Sequence, residues 1–322
     1  MMPKPLRRSR RHCYIGFMHA TTQGFFLTLA AVLAWGAQLP IAAGAMQHID
    51  PASINFIRYG LASLTLAGLL ALRRDTALIR QGLQQPLVWW AGMVGMAGSS
   101  SLVYVGLKFT RPEIAVLVIA LQPTMTAMAE WVLYRRRPAR VTLLCMALAF
   151  AGVSWAVTRG GELFAQPLSQ VSQELLGCAF VLAGAAAWVF YTLTCARLRH
   201  WSGLHVTTLT CITSVPALAL SWAVMLALGW TQWPTPEAWP ELSARLTFLV
   251  FVGVVAAMFL WNTGAARFGT LNAMLMLNFM PIVTFLVRAL EGVALDAAEI
   301  VGGLMVVLAL VTNNLWQRRQ QP

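Results

Sequence analysis

The chain has 322 residues, of which 58% are hydrophobic and only 11% charged, and its mean hydropathy is +0.67. A soluble globular surface needs far more charge than this, so the composition excludes a soluble protein and predicts an all-α membrane protein. The net charge of +12 would suit nucleic acid. However, the basic residues are concentrated in short segments between apolar runs, as expected for membrane topology, and we expect no nucleic-acid partner.

Ten apolar segments have about the length that crosses ~30 Å of hydrocarbon as a helix. They are residues 24–46, 53–72, 87–107, 114–134, 141–157, 175–196, 206–228, 246–265, 271–290 and 300–315. The basic N-terminus resembles the start of a signal peptide, but the first apolar run is longer than a signal core and is interpreted as a span. The sequence therefore predicts ten transmembrane helices.

The orientation follows from the arginines and lysines. Seventeen of the 23 basic residues fall in the two termini and in alternate connections on one side, four fall on the other side, and Arg58 and Arg288 fall within spans. Because cytoplasmic loops are rich in Lys and Arg, both termini are predicted to be cytoplasmic.

The segment 115–134 has a counterpart later in the chain. A shift of 158 positions brings Pro281 onto Pro123 and Thr284 onto Thr126. The polar stretch 159–174 divides the ten spans into five and five, and an odd number relates the two halves by inversion. The predicted organisation is a basic cytoplasmic tail at 1–23, a first five-helix repeat at 24–158, a periplasmic linker at 159–174, a second repeat at 175–316 and a cytoplasmic tail at 317–322.

These features resemble the EamA family of the drug/metabolite transporter superfamily. The resemblance rests on Trp35-Gly36, on Arg58 in INFIRYGLAS, and on the apolar runs around Pro123 and Pro281. The Gly-Glu-Arg-Pro-like turn of the family is represented here by Arg136-Arg137-Pro138, without its glutamate. The resemblance implies an inner-membrane carrier, usually an exporter, that moves small metabolites, amino acids or drugs by alternating access.

Proline within a spanning helix removes an amide donor and frees backbone groups, so Pro123 and Pro281 are predicted hinges; an ordinary packing kink is the alternative. Arg58 is a candidate cavity or gate residue, because ionisable groups within spans tend to face the bundle interior. Arg288, nearer a span end, is expected to snorkel to the interface. Glu130 is expected to form a structural ion pair with a cytoplasmic arginine such as Arg135 or Arg140.

Polar and aromatic residues inside spans form the predicted substrate cavity, although each alone is more often a packing residue. The set is Trp35, Gln38, Arg58, Tyr104, Gln122, Trp188, Tyr191, Trp261, Asn262 and Asn278. The central parts of the spans hold no acid, which a cation exporter would normally need. The predicted cargo is therefore neutral or zwitterionic, such as an amino acid, with Arg58 as a partner for its carboxylate.

The predicted function is a secondary transporter that exports small metabolites, with the lipid bilayer and a small-molecule substrate as partners. Energy would come from protons as the coupling ion or from the substrate's own gradient. A multidrug or cation exporter is the first alternative, and a membrane-embedded enzyme or a non-transporting scaffold is another. No catalytic, nucleotide-binding or metal-binding motif is present, and the five cysteines show no metal or disulfide spacing, so we expect no enzyme, cofactor or metal.

Overall fold

The computed structural model describes residues 7–75, 77–135, 137–198 and 200–319. All regular structure in this part of the chain is helical. The α-helices are α1 (Arg7–Ala45), α2 (Pro51–Leu72), α3 (Ala77–Leu83), α4 (Pro86–Trp90), α5 (Ser99–Gly106), α6 (Pro112–Ile119), α7 (Gln122–Tyr134), α8 (Arg140–Val157), α9 (Leu168–Cys195), α10 (Gly203–Ala227), α11 (Trp239–Thr247), α12 (Ala257–Phe268), α13 (Thr270–Met276), α14 (Met280–Leu290) and α15 (Ala297–Arg319). The π-helical segments are Ala91–Gly98 and Phe248–Ala256, and the 3₁₀ segments are Arg159–Ala165, Ala196–Leu198, Pro236–Ala238 and Leu277–Phe279.

Helix starts follow local sequence signals. Asp50 caps α2 by accepting a 2.9 Å hydrogen bond from the Ser53 amide, and Pro51 occupies the first turn. Ser202 caps α10 in the same way, through the amide of His205. Both caps satisfy amides that have no partner within the helix, and they fix where the chain turns back into the bundle.

Eight helices in the described part of the chain are long and apolar enough to cross a membrane. They are Thr21–Ala45, Pro51–Leu72, Pro112–Ala129, Arg140–Val157, Leu168–Leu198, Gly203–Ala227, Pro236–Phe268 and Asn272–Leu290. The tenth predicted span corresponds to a shorter apolar helix, Ala297–Asn313. The third predicted span, at 87–107, is a rod made of α4, a π segment and α5. It is not among the eight, because its glycines and serines lower its hydropathy.

The spans that contain Pro123 and Pro281 are each divided. The helix α6 ends at Ile119 and α7 begins at Gln122, so Pro123 lies in the first turn of a new helix. Likewise α13 ends at Met276 and a 3₁₀ turn precedes α14, whose first turn holds Pro281. Proline is tolerated in a first turn because its missing amide hydrogen would have no partner there. The expectation of a proline in mid-helix is therefore corrected to a break just before each proline.

Irregular backbone recurs in corresponding places of the two halves. The divided helices follow each other at a separation of 158 residues, the distance from Pro123 to Pro281. The π segment Ala91–Gly98 has its counterpart in Phe248–Ala256 at nearly the same separation. Such π segments are rare and often lie at functional positions. Their recurrence near the middle of each half therefore indicates equivalent positions in the two halves.

The halves interlock through reciprocal helix pairs. The helix α1 packs on α12 while α9 packs on α5, so the first helix of each half contacts the third of the other. The pairs α2 with α10 and α8 with α15 join equivalent helices. Close approach between α8 and α15 requires glycine, because a Cβ on Gly302 would lie 2.4 Å from the carbonyl oxygen of Gly152. Small residues at such crossings allow helices to pack without a hydrophobic driving force in lipid.

The perimeter of the bundle is apolar. Large side chains such as Leu64 on α2, Phe150 on α8 and Leu220 on α10 are more than half exposed. A soluble protein rarely exposes so much contiguous apolar surface, whereas a lipid bilayer covers it without cost.

Three helices extend beyond the predicted spans. The first helix begins at Arg7, and its apolar part, Thr21–Ala45, agrees with the predicted span at 24–46. The connection at 159–174 holds a 3₁₀ turn and the first residues of α9, which starts at Leu168. The eighth span begins with α11 at Trp239, where the amphipathic sequence WPELSARLT supports a helix ahead of the apolar run.

Candidate functional site: a polar cavity between the two halves

A cavity of about 90 Å³ lies in the centre of the bundle. Both halves line it, through α1, α2, the α4–α5 rod and the α6–α7 break from the first half and through α9, the second π segment, α12 and the 3₁₀ turn before α14 from the second. A water needs about 10–15 Å³ of such space, and drug-sized ligands occupy pockets of roughly 300 Å³ or more. The cavity in this conformation therefore suits a few waters or a very small solute, and a larger solute requires it to widen.

Arg58 is the charged group of the cavity. Its side chain is 1% exposed. Nη1 donates to Asn55 Oδ1 at 3.0 Å and to Ser100 Oγ at 3.4 Å, and Nε donates to the Leu249 carbonyl at 3.4 Å. Ser100 in turn donates to Asn55 Oδ1 at 2.7 Å, so the two polar residues hold the guanidinium together.

No carboxylate in the described part of the chain forms an ion pair with Arg58. Instead its guanidinium lies 4.6 Å from the Tyr104 ring centroid and 5.4 Å from that of Tyr59. Aromatic faces attract a cation but do not neutralise it. A buried charge without an ionic partner costs several kcal/mol, so an anionic group beside Arg58 would be stabilising.

Three further side chains bring polar atoms without partners to the cavity. Gln38 Oε1, Tyr104 Oη and Gln122 Oε1 are buried and lack hydrogen bonds to any described residue. An unsatisfied buried polar group costs about 1–3 kcal/mol. The two glutamine oxygens can accept a hydrogen bond from a bound solute or ordered water, and the tyrosine hydroxyl can donate or accept one.

One side of the cavity is closed by aromatic rings. The Trp35 ring meets Trp188 edge-on at 5.0 Å and Trp261 at 5.2 Å, and Trp188 stacks on Tyr191 at 4.8 Å. The Trp35 indole donates to the Gly253 carbonyl at 2.9 Å, which ties α1 to the second π segment. This aromatic cluster joins helices of both halves and separates the cavity from the end of the bundle where α10 begins.

Behind these rings lies a small hydrogen-bond network. Asn262 Nδ2 donates to Tyr191 Oη at 3.0 Å and to Thr207 Oγ1 at 2.8 Å. Tyr191 Oη also lies 3.4 Å from Thr210 Oγ1. The network satisfies the polar tips of buried residues and fixes α9, α10 and α12 to one another, which is a structural role.

The helix breaks reach the cavity directly. Ile119 and Gln122 line it from the first break, and Leu277 and Met280 line it from the second. Near the second break, Thr284 Oγ1 donates to the Gly36 carbonyl at 2.7 Å and attaches α14 to α1. The cavity wall therefore includes residues that flank both helix breaks.

The predicted site residues fall into two groups. Trp35, Gln38, Arg58, Tyr104, Gln122 and Trp188 line the cavity. Tyr191, Trp261, Asn262 and Asn278 are buried but lie off its wall, the first three in the aromatic cluster and its network. Sequence patterns could not separate these groups, because all are polar or aromatic residues near mid-span.

Four contributors to the site were missed. Asn55 stands three residues before Arg58 on one helix face, a spacing that could have revealed it. Tyr59, Ser100 and Gly253 carry no comparable signal, since an isolated tyrosine, serine or glycine in an apolar run is usually a packing residue.

Arg288, which was expected to snorkel to the interface, is paired with two acids. Its Nε donates to Glu113 Oε1 at 2.5 Å and its Nη1 to Glu291 Oε2 at 2.7 Å, with 21% of the side chain exposed. The carboxylate of Glu113, at the start of α6, is buried. The predicted ion pair of Glu130 lies outside the described side chains.

The described residues contain no group of three or more His, Cys, Asp or Glu side chains placed to hold a metal ion. Cys145, Cys178, Cys195 and Cys211 are free thiols within helices.

A family model described as the EamA-like transporter family matches residues 22–158 and again residues 175–315. The chain belongs to this family. The EamA unit thus occurs twice in succession, and the reciprocal packing described above is the packing of one EamA repeat on the other. Together with the apolar helices, membership makes the protein a multi-pass membrane transporter that works in a lipid bilayer on small-molecule substrates.

Two curated relatives from Bacillus subtilis (strain 168) support the assignment. The "Uncharacterized transporter YrdR" is 27% identical over 300 residues, covering 92% of each chain. The "Uncharacterized transporter YyaM" is 23% identical over 292 residues, covering 89% of this chain and 92% of the relative. A solved structure described only as "Crystal structure of protein" matches with a TM-score of 0.68 at 20% identity, over 93% of this chain and 99% of the other. At that identity the likeness shows the fold alone.

Proposed function

We propose that the protein is a secondary transporter that exports small neutral or zwitterionic solutes, such as amino acids, across the bacterial inner membrane by alternating access. One observation carries the substrate class: Arg58 is fully buried, lines the cavity, and has no carboxylate partner among the described residues. A solute carboxylate would supply the missing charge through the planar guanidinium.

The proposal includes ten spans arranged as two inverted five-helix repeats, at 24–158 and 175–316, with a periplasmic linker at 159–174. The reciprocal helix pairs and the recurrence of helix breaks and π segments support it. In transporters of this kind, the site lies between repeats at discontinuous helices, and one repeat rocks against the other. Pro123 and Pro281, beside the two breaks, are the proposed hinges.

Both termini are proposed to be cytoplasmic, with a tail at 1–23 and another at 317–322. The support is the distribution of basic residues along the chain. A fluorescent protein fused to the C-terminus should fold and fluoresce, whereas a periplasmic phosphatase fused there should stay inactive. The opposite pair of results would reverse the orientation.

A second candidate, a multidrug or cation exporter, is favoured by the aromatic cluster around Trp35 and Trp188, because aromatic faces attract cations. Arg58 opposes it, since a buried guanidinium repels a cation in a site of low dielectric. The cavity wall also carries no Asp or Glu. Zwitterionic cargo therefore agrees better with the site, and no part of the proposal requires enzymatic chemistry.

Vesicles containing the purified protein provide the test. Vesicles loaded with radiolabelled amino acids should show saturable efflux that an Arg58→Gln variant loses by at least about tenfold, the value of one charge-assisted hydrogen bond of about 1.5–3 kcal/mol. Arg80→Gln, an exposed position on α3, is the matched control and should transport normally.

The same preparation distinguishes the alternatives. Saturable movement of a lipophilic quaternary-ammonium dye, with no amino-acid efflux, would favour the cation exporter. A linear leak of every solute, equal to that of empty vesicles, would exclude the transport proposal. The remaining alternatives would then be a membrane-embedded enzyme or a non-transporting scaffold.

A further inference from the structure

Two ion pairs join the repeats at the end of the bundle where α6 and α15 begin and α14 ends. Arg111 Nη2 lies 2.7 Å from Glu299 Oε1, and Arg288 Nε lies 2.5 Å from Glu113 Oε1. Arg111 and Glu113 belong to the first repeat, and Arg288 and Glu299 to the second. Each repeat therefore contributes one cation and one anion, and neither can move away from the other at this end without breaking both pairs.

The acids of these pairs are more deeply buried than the bases. Glu113 and Glu299 are each 1% exposed, whereas the side chains of Arg288 and Arg111 are 21% and 36% exposed. Glu113 Oε2 has no hydrogen-bond donor among the described residues, and Glu299 Oε1 has only the ion pair with Arg111. A buried carboxylate oxygen without a donor is costly, and a proton removes the cost by neutralising the group.

Burial and neighbouring acids favour proton binding at Glu299, because burial disfavours its charged form. Glu291 also pairs with Arg288 at 2.7 Å, and the Asp296 backbone amide donates to Glu299 Oε2 at 3.1 Å. Four carboxylates thus accompany two guanidinium groups, and the charges of Glu113 and Asp296 oppose the ionisation of Glu299 while that of Arg111 favours it. Like charges held together disfavour full ionisation. Other charged or titratable groups near this end, on elements that pack against α6, α14 or α15 or in the adjoining connections, are His48, Asp50, Lys108, Arg159, Glu162 and Glu174.

Among the residues that the structure describes, this arrangement occurs at one end only. The shift of 158 positions that relates the repeats places Leu271 opposite Glu113 and Gly269 opposite Arg111, so the pairs are not reproduced by the repeat. At the other end the repeats are joined by His205 Nε2 and Asp75 Oδ2 at 2.7 Å, and there the acid is 39% exposed. Protonation of a solvated carboxylate removes only a weak ionic attraction, whereas protonation of a buried carboxylate removes a stronger one.

We propose that Glu113 and Glu299 form a proton-binding site, and that protonation of both carboxylates releases the two repeats from each other at this end of the bundle. At each carboxylate, a hydronium ion transfers its proton to an oxygen, and water leaves. The neutral carboxyl keeps at most a weak hydrogen bond to its arginine and loses the ionic attraction. The inference rests on the proposed transport function, to which it adds the coupling ion and the place where that ion acts.

The test measures whether pH opens this end. The five native cysteines are replaced by alanine, and Val103→Cys introduces a thiol on the cavity wall. Its labelling by a membrane-impermeant maleimide is followed in right-side-out and inside-out membrane vesicles at about pH 5 and about pH 8, both above the usual pKa of a glutamate. Rates are divided by those of the unfolded protein at the same pH, which removes the effect of thiol ionisation.

We expect labelling from one side of the membrane to be faster at the lower pH by at least about tenfold, which corresponds to about 1.4 kcal/mol. In the Glu113→Gln/Glu299→Gln double variant, labelling from that side should be fast and equal at both pH values. The matched control is Glu241→Gln, which removes the acid of an exposed pair with Arg245 inside the second repeat, and it should keep the pH dependence. A pH dependence that survives in the double variant, or its absence from the parent protein, would overturn the proposal.

A second measurement uses the unmodified chain and so does not depend on variants that fold. In hydrogen–deuterium exchange, corrected for intrinsic rates, amides at 113–119 and 297–303 should lose protection at the lower pH, while those of α2 and α10 should not. Unchanged protection at both segments would equally exclude the site. Neither measurement requires a transported solute, so its outcome is separate from the vesicle efflux that tests the proposed function.

Discussion

The guanidinium carbon of Arg58 lies 4.6 Å from the centre of the Tyr104 ring, while Tyr104 Oη, at the edge of the same ring, has no hydrogen-bond partner among the described residues. The ring of Tyr104 therefore contacts the arginine, while its hydroxyl is free to contact a solute. These two roles, holding Arg58 and contacting a solute, can be measured independently.

Replacing Tyr104 by phenylalanine keeps the ring and removes only the hydroxyl. We expect the KM for a zwitterionic solute to rise by about fivefold to tenfold, the value of one hydrogen bond of about 1 kcal/mol. The melting temperature should stay unchanged, because no protein contact of the hydroxyl is lost. Vesicle efflux and thermal unfolding in detergent measure the two quantities.

Tyr191→Phe is the matched control for this prediction. Its hydroxyl bonds Asn262 but does not line the cavity, so this change should lower stability by about 1 kcal/mol and leave the KM within about twofold. An unchanged KM in Tyr104→Phe would show that the Tyr104 hydroxyl does not contact the solute.

The side-chain amide of Gln38 lies so close to residue 253 that only glycine fits there without displacing it. A Cβ at Gly253 would lie 2.4 Å from Gln38 Oε1, at the flexible end of that side chain. Gly253→Ala should therefore displace the Gln38 amide and reduce transport several-fold, while the free energy of unfolding changes by less than about 1 kcal/mol. Gly60→Ala, where a Cβ meets open space, is the control for both measurements. Normal transport by Gly253→Ala would mean that the amide position is unimportant.

The crossing of α8 and α15 should be sensitive to volume. Gly302→Val places a branched side chain against the Gly152 carbonyl and Ala156, where even a Cβ is too close, and should destabilise the protein by about 1–3 kcal/mol or more. Gly68→Ala on α2 meets no atom within 4 Å and should be neutral or stabilising by about 0.5–1 kcal/mol. Thermal unfolding of the two variants in the same detergent compares them. Equal melting temperatures would show that the helices can separate at no cost.

The prolines after the two breaks should affect movement more than stability. In Pro123→Ala and Pro281→Ala, the added amide allows each broken helix to become continuous, so the transport rate should fall by a similar factor in both variants. The free energy of unfolding should change by less than about 1 kcal/mol, because both prolines lie in first turns. Pro216→Ala, inside α10 and away from the cavity wall, is the control. A normal rate in either hinge variant would exclude that proline as a hinge.

Composition and periodic hydrophobicity determined the helical class, the places of the apolar segments and the repeat. These properties are local, since each segment must bury its own backbone polar groups in lipid whatever its neighbours do. The match of Pro123 with Pro281 was visible for the same reason, as both repeats carry the same local sequence plan. Arg58 could be selected because a charge within an apolar span has few roles.

The tertiary structure decided which polar residues share the cavity. Gln38, Gln122 and Tyr104 are brought to one wall, whereas Asn262 and Tyr191 satisfy each other behind the aromatic rings, and helical spacing alone could not distinguish them. It also decided the partners of Arg288 and Arg111, whose acids lie 175 and 188 positions away in the sequence. Such pairs depend on how two repeats pack, and that packing is set by the shape of many side chains together. The sequence therefore determined the elements of a transporter, and the fold determined its site and the ion pairs that join its halves.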